Sequence, residues 1–121
     1  MDINDAVRGF GALAQETRLE TFRLLVRNGR EGMAAGEIAK ALNVPQNTLS
    51  SHLTIMVNAG LLESRREGRS IIYGVGLEGT QALLTFLLAD CCQGRPQACI
   101  SLLEAVLPGY RRPMDKKTAS L

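Results

Sequence analysis

Three cysteines fall within nine positions near the end of a 121-residue chain, in the stretch "DCCQGRPQAC". Cys91 and Cys92 are adjacent and Cys99 follows, with Gly94 and Pro96 between. Thiolates are soft ligands, so this cluster could hold a soft metal or metalloid ion. It could equally cycle as a disulfide, Cys99 pairing with Cys91 or Cys92. A nucleophilic cysteine in a reductase would want a nearby base or an anion-binding loop. No Cys-x-x-Cys, phosphate loop or spare histidine accompanies these three, so the chain reads as no enzyme. On a regular helix Cys91 and Cys92 would point about 100° apart. Both can face one ion only where the helix breaks, and Gly94 with Pro96 supplies a break that turns Cys99 back.

A second constellation suits different chemistry. Leu49, Leu53, Met56 and Val57 recur at helical spacing, which turns Gln46, Asn47, Thr48, Ser50, Ser51 and His52 outward. These side chains are short to medium, mostly uncharged and rich in donors and acceptors. Base edges in a major groove are told apart by such groups, and Ser, Thr and a helix N-terminus can also hold phosphates. A merely solvated face would carry Lys and Glu instead. Nearby, Arg65, Arg66 and Arg69 flank a Glu67-Gly68 turn. Alone they would be a solvated sheet edge; beside a reading helix they can reach phosphates or a minor groove.

The elements that must position these groups follow from the pattern. Ile3, Val7, Phe10 and Leu13 predict a first helix. Thr17 and Glu20 have capping-box spacing for a second, with Leu19, Phe22, Leu25 and Val26 as its apolar stripe and Asn28-Gly29 as its end. After the loop "GREGM", a helix over "AAGEIAKAL" turns Ile38, Ala39 and Leu42 inward. Asn43 tolerates a left-handed turn, and Pro45 suits the entry to the polar-faced helix at about 46–59. "LLESRREGRSIIYGV" then alternates as a hairpin. An apolar helix runs from about Glu78 through "TQALLTFLLADCC", and a last one covers "QACISLLEAVL". This order describes a mainly α protein with a small β-hairpin, a winged helix–turn–helix.

Composition bounds the rest. Net charge is only +2, and the first 60 residues balance six basic against six acidic groups. No apolar run approaches the ~20 residues of a membrane span, so no membrane partner is expected. The acidic start "MDINDAVRGF" is no signal peptide, which points to the cytoplasm, where thiols stay reduced. A single recognition helix reads few base pairs, and "ALLTFLLADCC" is apolar on more than one face; both observations favour a homodimer.

"QETRLETFRLLVRNG", "GEIAKALNVPQNTLSSHLTIMVNAGLLESRREGRSIIYGV" and the apolar helix after them resemble the ArsR/SmtB family of bacterial metal- and metalloid-responsive repressors. The resemblance covers about residues 5–106, and "TLSSHL" with the Arg-rich wing closing on Tyr73 is its most specific part. It implies a homodimer built on the first and fifth helices, binding double-stranded operator DNA at an imperfect palindrome and released by an inducer. The implied layout is one domain at 1–109, with the helix–turn–helix at about 35–59, the wing at about 61–76 and dimer and inducer helices at about 78–106. A polar tail follows at 110–121.

Family members place inducer sites on different elements. One pattern is Cys-x-Cys-x-x-Cys at the start of the DNA-binding motif, where this chain reads "AAGEIAKAL" without cysteine. Another gathers Asp, His and Glu for zinc on the dimer helices, but the single histidine here, His52, lies in the recognition helix. Cys91, Cys92 and Cys99 resemble the arrangement of members that sense arsenite through C-terminal cysteines. The resemblance therefore implies As(III) or Sb(III) on these three thiolates and no organic cofactor. The residues themselves leave thiol oxidation, or a soft divalent ion such as cadmium, as the alternative.

Overall fold

In the computed structural model, which describes residues 1–90 and 96–107, helix α1 (Ile3–Leu13) opens with a reciprocal cap. The Asp2 carboxylate accepts from the Asp5 amide at 2.8 Å, and Asp5 accepts from the Asp2 amide at 3.2 Å. That bond from Asp5 holds the Asp2 carboxyl below the ordinary aspartate range. The buried face of α1 is Ala6, Gly9 and Ala12, one position off the expected Ile3–Val7–Phe10–Leu13 stripe. At Gly9 the space is taken, because Leu83 stands 3.1 Å from where a Cβ would be. Ile3 and Val7 are each left 62% exposed.

Helix α2 (Glu16–Asn28) is capped by Gln15, whose side chain accepts from the Arg18 amide at 2.9 Å. The expected Thr17–Glu20 capping box is therefore not the cap used. The predicted stripe is also shifted: Leu25 and Thr21 are fully buried, while Leu19 and Val26 stay exposed. Thr21 can be buried because its hydroxyl donates to the Thr17 carbonyl at 2.7 Å within the helix.

A 3₁₀ turn at Gly29–Glu31 leads to a two-residue strand, β1 (Met33–Ala34), and then to α3 (Ala35–Leu42). Glu37 reaches back to accept from the Ala34 amide at 2.8 Å, supplying the cap that Ala34 itself cannot. Asn43 ends α3 with φ 56° and ψ 48°, the left-handed turn expected of it, and Pro45 leads into α4 (Gln46–Asn58). Leu49, Leu53 and Met56 of α4 are at most 1% exposed and belong to the buried core with Leu25, Ile38 and Leu61. Each such side chain contributes about 1.5–3 kcal/mol on full burial, which anchors α4 by one face.

Strands β2 (Leu62–Glu67) and β3 (Ser70–Val75) pair antiparallel from Leu62↔Val75 to Glu67↔Ser70. The loop is thus Gly68–Arg69, one residue on from the expected turn. Gly68, at φ 63°, supplies the positive φ that a two-residue hairpin loop needs. The expected hairpin is part of a three-stranded sheet, order β1-β3-β2, with Met33↔Tyr73 and Ala34↔Ile72 paired.

Gly76, whose amide donates to Leu61 at 2.8 Å, precedes α5 (Leu77–Thr85). A Cβ on Gly79 would collide with the Gly60 carbonyl, so α5 starts against the α4–β2 junction only because glycine stands there. These elements form one compact unit, Met1–Leu84. The second unit, from Thr85, contains a π-helical turn at Phe86–Asp90 and α6 (Pro96–Val106). The described part of the expected 78–92 helix is α-helical to Thr85 and π-helical from Phe86 to Asp90. Cys91, Cys92, Gly94 and the tail at 110–121 lie outside the described residues. Among the described residues no helix is long and apolar enough to cross a membrane.

Candidate nucleic-acid interface

With Leu49, Leu53 and Met56 in the core, α4 turns Gln46, Asn47, Thr48, Ser50 and Ser51 to the surface, all exposed. No acidic residue stands in its first turn, so nothing on the helix itself opposes an approaching phosphate. Several of these groups make local bonds. Asn47 accepts from the Thr48 amide at 3.0 Å, and the Ser51 hydroxyl donates to the Thr48 carbonyl at 3.2 Å. Hydroxyls that donate backwards along the helix still present acceptor lone pairs outward. Thr54, also exposed, donates to the Ser50 carbonyl at 3.1 Å and extends the face by one turn, with Asn58 after it. The sequence reading stopped at His52; the i+4 spacing from Ser50 was the signal that pointed to Thr54.

His52 differs from its neighbours. Its ring is half-buried, and Nδ1 lies 3.1 Å from Arg18 Nη1 on α2. It stands at the edge of the polar face rather than on it. Arg18 also donates through Nε to the Ala12 carbonyl at 2.6 Å.

The three wing arginines are not equivalent either. Arg65 Nε donates to Glu67 Oε2 at 2.6 Å, and its other arm donates to the Glu31 carbonyl at 2.7 Å. Arg65 thus fastens β2 to the 3₁₀ turn. Arg66, on the opposite face of the strand, and Arg69, in the loop, are exposed. A polar-faced helix followed by a basic two-stranded wing is an arrangement that can read bases and hold phosphates together.

Known proteins similar to this chain include helix-turn-helix transcriptional regulators. Residues 13–65, from the end of α1 into β2, match the model of a helix-turn-helix domain family. The transcriptional repressor SdpR of Bacillus subtilis is 30% identical over 79 residues, covering 65% of this chain and 84% of its own. The transcriptional activator HlyU of Vibrio cholerae is 29% identical over 82 residues, 68% of this chain and 73% of its own. Its solved structure superposes with a TM-score of 0.59 over 77% of this chain and all of that one. The homodimeric winged helix-turn-helix domain of Mb0332 from Mycobacterium bovis, a possible ArsR-family regulator, is 26% identical, with a TM-score of 0.60 over 91% of this chain and 90% of that one. This chain belongs to the ArsR family.

The ArsR-family chain is a transcriptional regulator with a DNA-binding helix–turn–helix, not an enzyme. The relatives include an activator and a repressor, so membership does not fix the sign of regulation. Of the predicted inducer residues, Cys99 lies on α6, while Cys91 and Cys92 lie outside the described residues. Among the described residues no cluster of three His, Cys, Asp or Glu side chains could hold a metal ion.

Proposed function

We propose that this ArsR-family regulator is a repressor that binds double-stranded operator DNA as a homodimer and releases it when As(III) or Sb(III) is held by Cys91, Cys92 and Cys99. The observation that carries the inducer is the donor set itself. All three cysteines of the chain cluster in nine positions, and the one histidine sits elsewhere, on α4. Three sulfurs without an imidazole suit a metalloid that takes a three-sulfur pyramid, whereas structural zinc takes four ligands. As(III) or Sb(III), when bound, supplies a trigonal centre that ties three thiolates together.

The dimer reading rests on α1. Among the described residues Ile3 and Val7 present an exposed apolar face, and the M. bovis relative is homodimeric. Two-fold pairing sets two copies of α4 about one helical turn apart on the duplex, which favours a palindromic site. On each half-site Asn47, Ser50, Ser51 and Thr54 meet base edges while Arg66 and Arg69 meet phosphates.

Release follows from linkage. Cys91 and Cys92 follow the π-helical turn that continues α5, so drawing them toward Cys99 reshapes the end of that helix. An inducer that favours the DNA-free form by about 1–3 kcal/mol weakens operator binding by the same factor as DNA weakens the inducer. The cytoplasm, where thiols are kept reduced, is the compartment in which such a site works.

The test uses the full chain and a duplex that it enriches from a randomised library. Fluorescence anisotropy under reducing conditions compares arsenite, antimonite, cadmium, zinc and an oxidant. Release by arsenite or antimonite, with none by zinc, is expected. Release by cadmium alone, or by the oxidant alone, would replace the metalloid reading.

A further inference from the structure

One side chain joins three helices. Arg18, half-buried at the start of α2, donates through Nε to the Ala12 carbonyl of α1 at 2.6 Å and through Nη1 to His52 Nδ1 of α4 at 3.1 Å. Among the described residues, these are the side-chain hydrogen bonds that run from one of helices α1–α4 to another. Ala12 lies in the last turn of α1, where carbonyls have no partner within the helix and a positive charge is favoured. No basic residue stands in that turn, so Arg18 supplies both the donor and the charge from outside. Its own backbone is held as well, because Gln15 accepts from the Arg18 amide.

The consequence concerns α4. Leu49, Leu53 and Met56 hold this helix to the core by one apolar face. Apolar contact is non-directional and fixes depth better than roll about the helix axis. A hydrogen bond is directional, and a guanidinium presents its donors in one rigid plane. Two arms of that plane therefore set the distance and angle between the end of α1 and the edge of the polar face. His52 is adjacent to Ser51 and about one turn before Ile55, so the bond acts beside the exposed residues of the helix.

We infer that Arg18 is a positioning residue that sets DNA specificity: it fixes the roll of α4 relative to α1 by bridging the Ala12 carbonyl and His52. The inference rests on the reading of α4 as the base-reading helix. Because α1 is also the proposed dimer helix, the same bridge ties the spacing of protomers to the aim of the reading face.

The experiment has two arms. The first measures affinity of the full chain for its enriched duplex and for a scrambled duplex at the same salt, in wild type, Arg18→Lys, His52→Ala and the double variant. Lysine keeps the charge but cannot span both acceptors. Arg18→Lys is expected to lower the enriched-to-scrambled affinity ratio by about tenfold or more, the scale of one lost base discrimination. In the His52→Ala background the same change should alter the ratio by less than about twofold, because the two residues act as one link. An unchanged ratio, or an equal loss on both duplexes, overturns the inference, the latter by making Arg18 a general phosphate contact. If wild type itself shows no preference between duplexes, the reading of α4 fails, separately from the bridge.

The second arm tests the bridge without DNA and without a variant. The chain has one histidine, so its ring nitrogens give one set of ¹⁵N signals. An arginine can only donate, so Nδ1 must be a bare acceptor with the proton on Nε2. That tautomer, read where the signals themselves show a neutral ring, is the expected result. A protonated Nδ1 overturns the bridge.

Discussion

Arg65 and Glu31 stand 34 residues apart in sequence, yet the Arg65 guanidinium donates to the Glu31 carbonyl at 2.7 Å. The wing is thereby fastened to the turn after α2, and Arg65 is engaged on the protein's own backbone. Arg66 and Arg69, in contrast, project from the surface. The pair predicts two different losses. Arg66→Ala should weaken binding to any duplex and lower the slope of log affinity against log salt by about one. Arg65→Ala should leave that slope nearer the wild-type value, and its cost in stability should stay within about 1 kcal/mol because the Arg65–Glu67 pair is exposed. Salt titrations of both variants on one duplex check this, and equal slopes would show that Arg65 is a phosphate contact after all.

The exposed face of α4 carries its own prediction. Asn47→Ala and Ser50→Ala should each change which base is preferred at one position per half-site, by about 1–3 kcal/mol. Binding to scrambled duplex should stay constant, since neither side chain is charged. Repeating library selection with each variant reads the change directly, and an unaltered consensus in both would remove these residues from base readout.

Gly79 gives a stability prediction. Its α-carbon faces the Gly60 carbonyl too closely for any side chain. Gly79→Ala must push α5 away from the α4–β2 junction, at about 2 kcal/mol or more, lowering Tm by roughly 8 °C. Gly36→Ala is the control: an alanine there meets only the end of the flexible Gln46 side chain, at 3.4 Å, and should be neutral or mildly stabilising. A thermal melt of the two variants side by side checks both, and similar melts would mean the glycine contact has slack.

The cap on α1 predicts a pH dependence. A carboxyl held below its ordinary range contributes stability that is present above the unfolded value and is lost as pH falls through the folded one. The start of α1 should therefore loosen only below about pH 4. The Asp5 amide proton, which Asp2 accepts, should shift with that titration, and Asp2→Asn should abolish the shift. A midpoint above the ordinary aspartate range would contradict the capping bond.

Much of this was legible in the residues because it is written locally. Asn43 and Pro45 mark the turn before α4 since each restricts or permits a particular backbone conformation, and the core face of α4 follows from its spacing. What was misread depends on partners far along the chain. Ile3 and Val7 of the α1 stripe stay exposed while Phe10 and Leu13 are half-buried, and Leu83, from α5, packs where a side chain on Gly9 would stand. β1 is two residues long and has no pattern of its own; Ile72 and Tyr73 make it a strand. Gln15 caps α2 although Gln is not among the preferred N-cap residues. His52 belongs by type to the polar run, and its bond to the distant Arg18 is a partner that residue type alone could not show. The cysteines proposed to hold the inducer are read as chemistry from residue type and spacing alone.

The central claim, that three thiolates switch this ArsR-family repressor off its operator, is tested most directly by an arsenite titration of the DNA-bound full chain under reducing conditions. Wild type should release its enriched duplex, while Cys99→Ser should bind that duplex as tightly and stay bound across the same range. Unchanged arsenite-driven release from Cys99→Ser would contradict the three-thiol site.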